Sequence, residues 1–339
     1  MLRRRSPQPL LVAVLATAAL YAAAAVHYGG AFFSLPVFIN LLGDNAFLGI
    51  VAVGMTFVIV SGGIDLSVGA VMSLSSIVAA LLMTRHGWSP WTAFAAALAL
   101  GTLLGLGMGA VIQYAGLRPF IVTLAGMFFA RGLGFIIHLE PIGIAHPTHA
   151  SLAMRRIELG ETAAVPITAL ILLAVVAVAG YVLAFSRFGR NVYALGGNEE
   201  AAVLMGLPVA RTRLAVYAVS GFCSALAGVV LTLYLSSGSH LEGIGLELDA
   251  IAAVVIGGTL LTGGVGSVFG TLLGVLMIGI ILNVMTYQAF SSGMTKLAIG
   301  GLLLAFVVLQ RVLTRGSARP AAYPEARRVV EPPDLSRAP

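Results

Sequence analysis

Ten apolar runs follow one another along this chain, and each is close to the length that crosses the hydrocarbon core of a bilayer as a helix. Lipid offers the backbone no hydrogen-bond partners, so each run must satisfy its own peptide groups, as a helix does. The sequence therefore predicts an all-α polytopic membrane protein with about ten transmembrane helices. The runs cover residues 10–26, 45–60, 66–83, 91–114, 120–137, 165–185, 214–235, 246–261, 265–285 and 294–309.

The composition supports a chain solvated by lipid. Apolar residues make up 59% of it and charged residues 9%, and its mean hydropathy is +1.01. A soluble domain carries about 25% charged residues. The net charge of +6 does not indicate nucleic-acid binding, because the basic residues stand at the ends of apolar runs rather than on one face. The lipid bilayer is the predicted environment, and no nucleic-acid partner is expected.

The basic residues also predict the orientation. With Arg3, Arg4 and Arg5 in the cytoplasm, forward counting places the basic loop 186–213 and the C-terminus there too, as the positive-inside rule requires. Residues 1–315 are then a transmembrane domain in the bacterial inner membrane, with both termini cytoplasmic, and 316–339 a disordered tail. The first run also resembles a cleavable signal, but its length favours an uncleaved helix. Merging 45–83 and 246–285 into two broken helices would leave eight spans and move the basic loop outside.

Two glycine pairs interrupt the apolar pattern in similar contexts. SGGI at 61–64 and TGGV at 262–265 each end a short run, and another run follows directly. Short, glycine-interrupted segments in a transporter point to its binding site. We therefore assign Gly62, Gly63 and Asp65 to a candidate translocation path. The alternative for the first pair is a tight turn in which Asp65 accepts hydrogen bonds from the amides that begin the next helix.

Four other residues place polar or aromatic groups in or beside spans. Asn45 begins one run, and Arg131 lies within another, where a charge is costly unless it faces water or a partner. The neighbouring Phe128 and Phe129 could stack on a sugar ring. These four residues complete the candidate path. The alternatives are that Arg131 extends its stem to the membrane surface and that the phenylalanines pack between helices.

The basic loop contains a segment that predicts a short helix. Asn198 is a suitable N-cap, and the two glutamates that follow it suit the positive end of a helix. The helix is too polar to span, so we expect it to dock on a partner or to lie on its own bundle. The residues assigned to this coupling helix are Gly197, Asn198, Glu199, Glu200, Ala201, Ala202, Met205 and Gly206.

The sequence argues against chemistry within the chain itself. A phosphate-binding P-loop places a lysine after glycine, but the single lysine, Lys296, follows Thr295. No nucleophile–base pair or zinc motif emerges, so no catalytic residue, metal or cofactor is expected. A proton- or sodium-coupled secondary transporter normally has several acidic groups at membrane depth, and a channel needs a ring of selectivity groups; neither pattern is present.

Three segments in this order resemble the ribose-type ABC sugar permeases. They are SGGIDLSVG at 61–69, RFGRNVYALGGNEEAA at 187–202 and DAIAAVVIGGT at 249–259. Within that family, DNAFLGIVAVGMTF at 44–57 and TLAGMFFARG at 123–132 are most similar to galactofuranose permeases. The resemblance implies a cytoplasmic ATPase subunit that receives the helix at 198–205, and a periplasmic sugar-binding protein. It also implies a second permease subunit, related or identical, and alternating access without bond chemistry.

Overall fold

The computed structural model describes residues 8–28, 34–160 and 163–315, and they are mostly helical. The predictions made for Arg3, Arg4, Arg5 and the tail 316–339 concern residues outside these ranges. The helices are α1 Gln8–Tyr28, α2 Leu35–Asp44, α3 Ala46–Val60, α4 Val68–Arg85, α5 Pro90–Tyr114, α6 Pro119–Ile137, α7 Pro147–Ala153, α8 Ile167–Phe185, α9 Arg187–Gly197, α10 Glu199–Leu204, α11 Val209–Leu235, α12 Leu246–Ile256, α13 Val268–Tyr287 and α14 Ser292–Arg315. The strands are β1 Ile142–Gly143, β2 Arg156–Leu159, β3 Ala163–Pro166 and β4 Ser237–Gly238.

Six of the described helices are long and apolar enough to cross a membrane: α4, α5, α6, α8, α11 and α13. A seventh span is possible if α2 and α3 form one bent crossing. Each of the ten predicted runs overlaps a helix, but α12 has only 11 residues. The chain is therefore a polytopic helical membrane protein, and the count of ten spans stays a prediction.

The run predicted at 45–60 is the second half of a broken helix. The axes of α2 and α3 differ by 60°, and Asn45 stands at the break. Its amide Nδ2 donates to the Leu41 carbonyl oxygen at 2.8 Å. It also packs against Gly279 of α13, where a Cβ would lie 2.6 Å from Nδ2. A polar side chain thus bonds to the backbone of the helix that ends there, and the absence of a side chain at Gly279 gives it room.

Helix α11 is the centre of the bundle and packs closely on α3, α4 and α5. The contact with α5 depends on glycines at four-residue spacing, Gly101, Gly105 and Gly109, because small residues let helix backbones approach. A Cβ at Gly105 would collide with the Tyr217 carbonyl oxygen and lie 3.2 Å from the Gly221 Cα. This seam fixes α11 against α5.

One end of the bundle carries a small lobe built mainly from the described residues of 138–166, and it contains short strands and a helix. Strand β1 pairs with β4, β2 pairs with β3, and α7 packs on α11. His149 anchors α7, because its ring lies edge-on to Phe94 and its Nε2 is 3.4 Å from Thr232 Oγ1. Burial lowers the pKa of His149, and neighbouring His146 lowers it further.

We predict that Gly105→Ala lowers the thermal unfolding midpoint of the detergent-purified protein, whereas Gly107→Ala does not. The new methyl group at 105 forces α5 and α11 apart, and overpacking of this kind costs about 1–3 kcal/mol. Gly107 lies on the same helix with nothing within 4 Å of its Cβ position, and alanine favours helix more than glycine does. Equal midpoints for the two variants would contradict the close packing of this seam.

Candidate translocation path and coupling helix

The two glycine pairs meet at one end of the bundle, together with the end of α9. The Gly264 amide donates to the Val60 carbonyl oxygen at 2.9 Å, which links the turn after α12 to the end of α3. A Cβ at Gly263 would lie 2.9 Å from both the Gly62 Cα and the Gly196 carbonyl oxygen. We call this contact the glycine junction; its members are Gly62, Gly63, Gly196, Gly197, Gly263 and Gly264. The two glycine turns, which share a similar sequence context, are therefore direct neighbours in the structure.

The short helix predicted in the basic loop is present as α10, Glu199–Leu204, directly beyond the glycine junction, and its coupling role stays a prediction. Asn198 caps it as predicted, because its side chain accepts from the Ala201 amide at 2.9 Å. Ala202 is buried against the bundle, whereas Leu204 and Met205 are 87% and 67% exposed. The helix thus has an inner face that packs on this chain and an outer apolar face that nothing within the described residues covers.

Arg213 ties the coupling helix to the bundle. Its Nη2 lies 2.6 Å from Glu199 Oε2, and its Nη1 donates to Gln113 Oε1 at 2.8 Å. One guanidinium thus holds α10, the end of α5 and the start of α11 together, which suits the rigid donor fork of arginine. Glu199 and Glu200 are both exposed, and the ion pair with Arg213 is what distinguishes Glu199.

A polar cavity of about 390 Å³ lies between the glycine junction and the coupling helix. Its wall includes Tyr217, which is 1% exposed and whose hydroxyl has no hydrogen-bond partner among the described residues. The residues that line the cavity are Ser61, Gly62, Gly63, Ile112, Gln113, Gly116, Leu117, Arg118, Pro119, Glu199, Arg213 and Tyr217.

Asp65 is buried next to this cavity and its carboxylate is fully engaged. Oδ1 accepts from the Ser67 amide at 2.9 Å and from the Ser67 hydroxyl at 2.6 Å. Oδ2 accepts from the Ser220 hydroxyl of α11 at 2.7 Å. The amide that Asp65 engages belongs to Ser67, the residue before α4 begins, and not to the helix itself as the alternative interpretation predicted. The bond to Ser220 ties the turn to α11. Asp65 therefore fixes the turn to the centre of the bundle.

The other predicted path residues lie apart from the cavity. Phe128 and Phe129, on α6, are 66% and 58% exposed, so they do not pack inside this chain. Arg131 donates from Nη2 to the Gly243 carbonyl oxygen at 3.1 Å, beyond the middle of α6. Asn45 sits at the α2–α3 break. The structure therefore does not gather these four residues into one site, and their assignment to the path stays a prediction.

Arg213, Tyr217 and Ser220 were not among the site residues predicted from the sequence. They lie at spacings of four and three on α11, so one helix face carries the coupling-helix contact, the cavity wall and the Asp65 tie. A polar stripe of this spacing inside an apolar span was the signal that could have found them.

A bundle of apolar helices, with a capped helix exposed at one end and a polar cavity behind it, fits a membrane permease. The family model described as "Branched-chain amino acid transport system / permease component" matches residues 37–308. The chain belongs to this family.

Several characterised relatives are importer permeases. Inner membrane ABC transporter permease protein YjfF of Escherichia coli K12 is 44% identical over 93% of this chain and 94% of its own length. Fructose import permease protein FruG of Bifidobacterium longum is 38% identical over 84% and 85%. Ribose import permease protein RbsC of Haemophilus influenzae is 40% identical over 83% and 87%. No solved structure gave a significant match. The chain is thus a multi-pass inner-membrane permease subunit of an ABC importer.

We predict that Asp65→Ala destabilises the protein, whereas Asp65→Asn folds normally and keeps most of its transport. Alanine leaves the Ser67 and Ser220 donors unpaired, and each orphaned buried group costs about 1–3 kcal/mol. Asparagine keeps one acceptor oxygen for Ser67 and presents an amide that the Ser220 oxygen can accept. Thermal unfolding and uptake assays check both variants. An Asn variant that folds but does not transport would show that the charge itself serves translocation.

Proposed function

We propose that this chain carries a monosaccharide across the inner membrane, with energy from a separate cytoplasmic ATPase. The observation that carries the proposal is the uncovered apolar face of α10 beside a polar cavity. The relatives named for ribose and fructose import support a sugar as the cargo. The glycine junction then faces the cytoplasm, since Arg118, Arg187, Arg190, Arg211 and Arg213 cluster in the segments around it.

The proposed complex contains three further proteins. The ATPase receives α10, and a periplasmic sugar-binding protein delivers the cargo at the opposite end, where the lobe of residues 138–166 lies. A second permease subunit, related or identical, completes the path. The exposed aromatic face of α6 supports this arrangement, because Phe128 and Phe129 would face the partner or the path rather than the interior of this chain.

The proposed path ends at the cytoplasmic cavity. In this proposal, the walls of the cavity move with the coupling helix, α10. Gly62 and Gly63 line the cavity, and Asp65 anchors their turn to α11. The break at Asn45 and the charge at Arg131 belong to the part of the path nearer the periplasm. Glu199 lies in the cavity wall and on α10, so a displacement of α10 by the ATPase changes the cavity directly.

We predict that Leu204→Ser reduces the amount of ATPase that co-purifies with this permease by about tenfold, and uptake with it. Burying a leucine side chain contributes about 1.5–3 kcal/mol, and 1.4 kcal/mol corresponds to tenfold in affinity. Leu139→Ser is the matched control, because Leu139 is 71% exposed at the opposite end of the bundle. ATPase retention by the Leu204 variant at the control level would refute docking through α10.

The cargo is tested by ATP-driven uptake through the complete importer. We expect transport of a monosaccharide, and galactofuranose is the sugar that the segments 44–57 and 123–132 favour. Ribose, fructose, xylose and leucine are the comparisons, and leucine uptake alone would favour an amino-acid carrier, as the family description reads. Uptake should survive a protonophore while ATP is held constant. Collapse under that condition would favour the alternative, an ion- or proton-coupled secondary transporter.

A further inference from the structure

The segment between α11 and α12 enters the bundle instead of staying at its surface. It starts beside the end of α4, where β4 pairs with β1 and Thr84 Oγ1 lies 3.3 Å from the Gly143 carbonyl oxygen. It then follows α4 inward: Gly238 packs on Ala80, and Gly243 packs on Gly69. The nearest neighbour of the Gly238 Cβ position is the Ser76 carbonyl oxygen, and from Ser76 to Gly69 the rise is roughly 10 Å at 1.5 Å per residue. The segment thus runs alongside α4 toward the first turn of that helix.

Helix α12 begins beside the first turn of α4 and is too short to cross a bilayer core by itself. It starts at Leu246 beside Gly69 and has 11 residues, after which the chain turns back through the glycine junction. Non-helical backbone at membrane depth is tolerated only where protein encloses it or where it lines an aqueous space. Discontinuous helices of this kind mark the binding sites of many transporters.

Three polar side chains meet the descending segment with unpaired atoms. Arg131 Nη1, His240 Nδ1 and Glu247 Oε2 are buried and have no hydrogen-bond partner among the described residues. His240 is 3% exposed. Arg131 reaches the Gly243 carbonyl oxygen with its other nitrogen, and a Cβ at Gly69, which packs on Gly243, would lie 2.8 Å from Glu247 Oε2. Arg131 and Glu247 thus both lie close to Gly243, and His240 stands three residues before Gly243 on the same segment. Unpaired buried polar groups are costly, and a ligand that pairs with them removes that cost.

We propose that Arg131, His240 and Glu247 form a monosaccharide-binding site midway along the path, a proposal that rests on the function proposed above. Sugar hydroxyls both donate and accept hydrogen bonds. Arg131 supplies donors, Glu247 supplies an acceptor and His240 supplies either. The Phe135 ring lies 4.3 Å from the His240 ring and adds an apolar surface to the site. The bound sugar satisfies the atoms that the empty protein leaves unpaired.

The first test compares two Glu→Gln variants of the intact importer. Glu247→Gln should lower the uptake rate at saturating binding protein by about tenfold or more, since a hydrogen bond to a charged group contributes about 1.5–3 kcal/mol. It should also change the ratios of ribose, fructose and xylose uptake. Glu242→Gln is the matched control, because Glu242 is exposed and engages Ser73 only through its backbone carbonyl. We expect wild-type rates and ratios from it.

A residue that merely holds the fold would lower all three uptake rates in the same proportion. Suppose that the wild-type importer transports the sugars. Unchanged uptake ratios in the Glu247→Gln variant would then overturn the proposed binding site but not the proposed cargo. A wild-type importer that takes up none of the sugars would overturn the proposed cargo, and the site would fall with it.

The second test uses the fact that Cys223 is the chain's single cysteine and is buried. In a Cys223→Ala background, we expect Leu241→Cys to react with a membrane-impermeant thiol reagent from the periplasmic side, and a transported sugar to slow that reaction. Leu103→Cys, on the exposed face of α5, is the control in contact with lipid and should not react. Reaction at Leu241→Cys that no tested sugar slows, or no reaction there in any nucleotide state, would refute the site.

Discussion

Peptide groups that a helix does not satisfy are the constraint on which this structure depends. Lipid cannot solvate them, so every interruption of a span must find partners inside the protein. The turn after α12 meets this requirement by donating the Gly264 amide to the last carbonyl of α3, at Val60. Both turns reach φ values that favour glycine, +86° at Gly62 and +83° at Gly263. Because each turn supports the other, neither can move alone.

In the proposed mechanism, α11 connects α10 with the interior of the bundle. Its glycine seam with α5 holds the helix rigidly, and its polar face carries Arg213, Tyr217 and Ser220 in succession. Arg213 contacts α10 and Ser220 contacts Asp65, so the two ends of this face touch the two elements that coupling must connect. A rigid helix with two specific ends transmits a displacement better than a chain of exposed contacts does.

Local features of the sequence predicted local features of the structure. Hydropathy located the apolar helices, and the Asn198 cap depends only on the amide of Ala201, three residues further along the chain. The bend at Asn45, the inward course of 236–245 and the contact between the glycine turns were not predictable. Each depends on residues far away in the chain, such as Gly279, Gly69 and Val60, and periodicity carries no information about such contacts.

The degree to which a buried polar group is satisfied separates structural from functional roles here. Asp65 lies in the most recognisable motif, yet three hydrogen bonds leave it nothing to offer a passing solute. Arg131, His240 and Glu247 occupy less conspicuous sequence and keep unpaired atoms inside the bundle, as Tyr217 does in the cavity wall. In the binding site proposed above, the bound sugar supplies the partners that Arg131, His240 and Glu247 lack, so the cost of leaving them unpaired is recovered when cargo is bound.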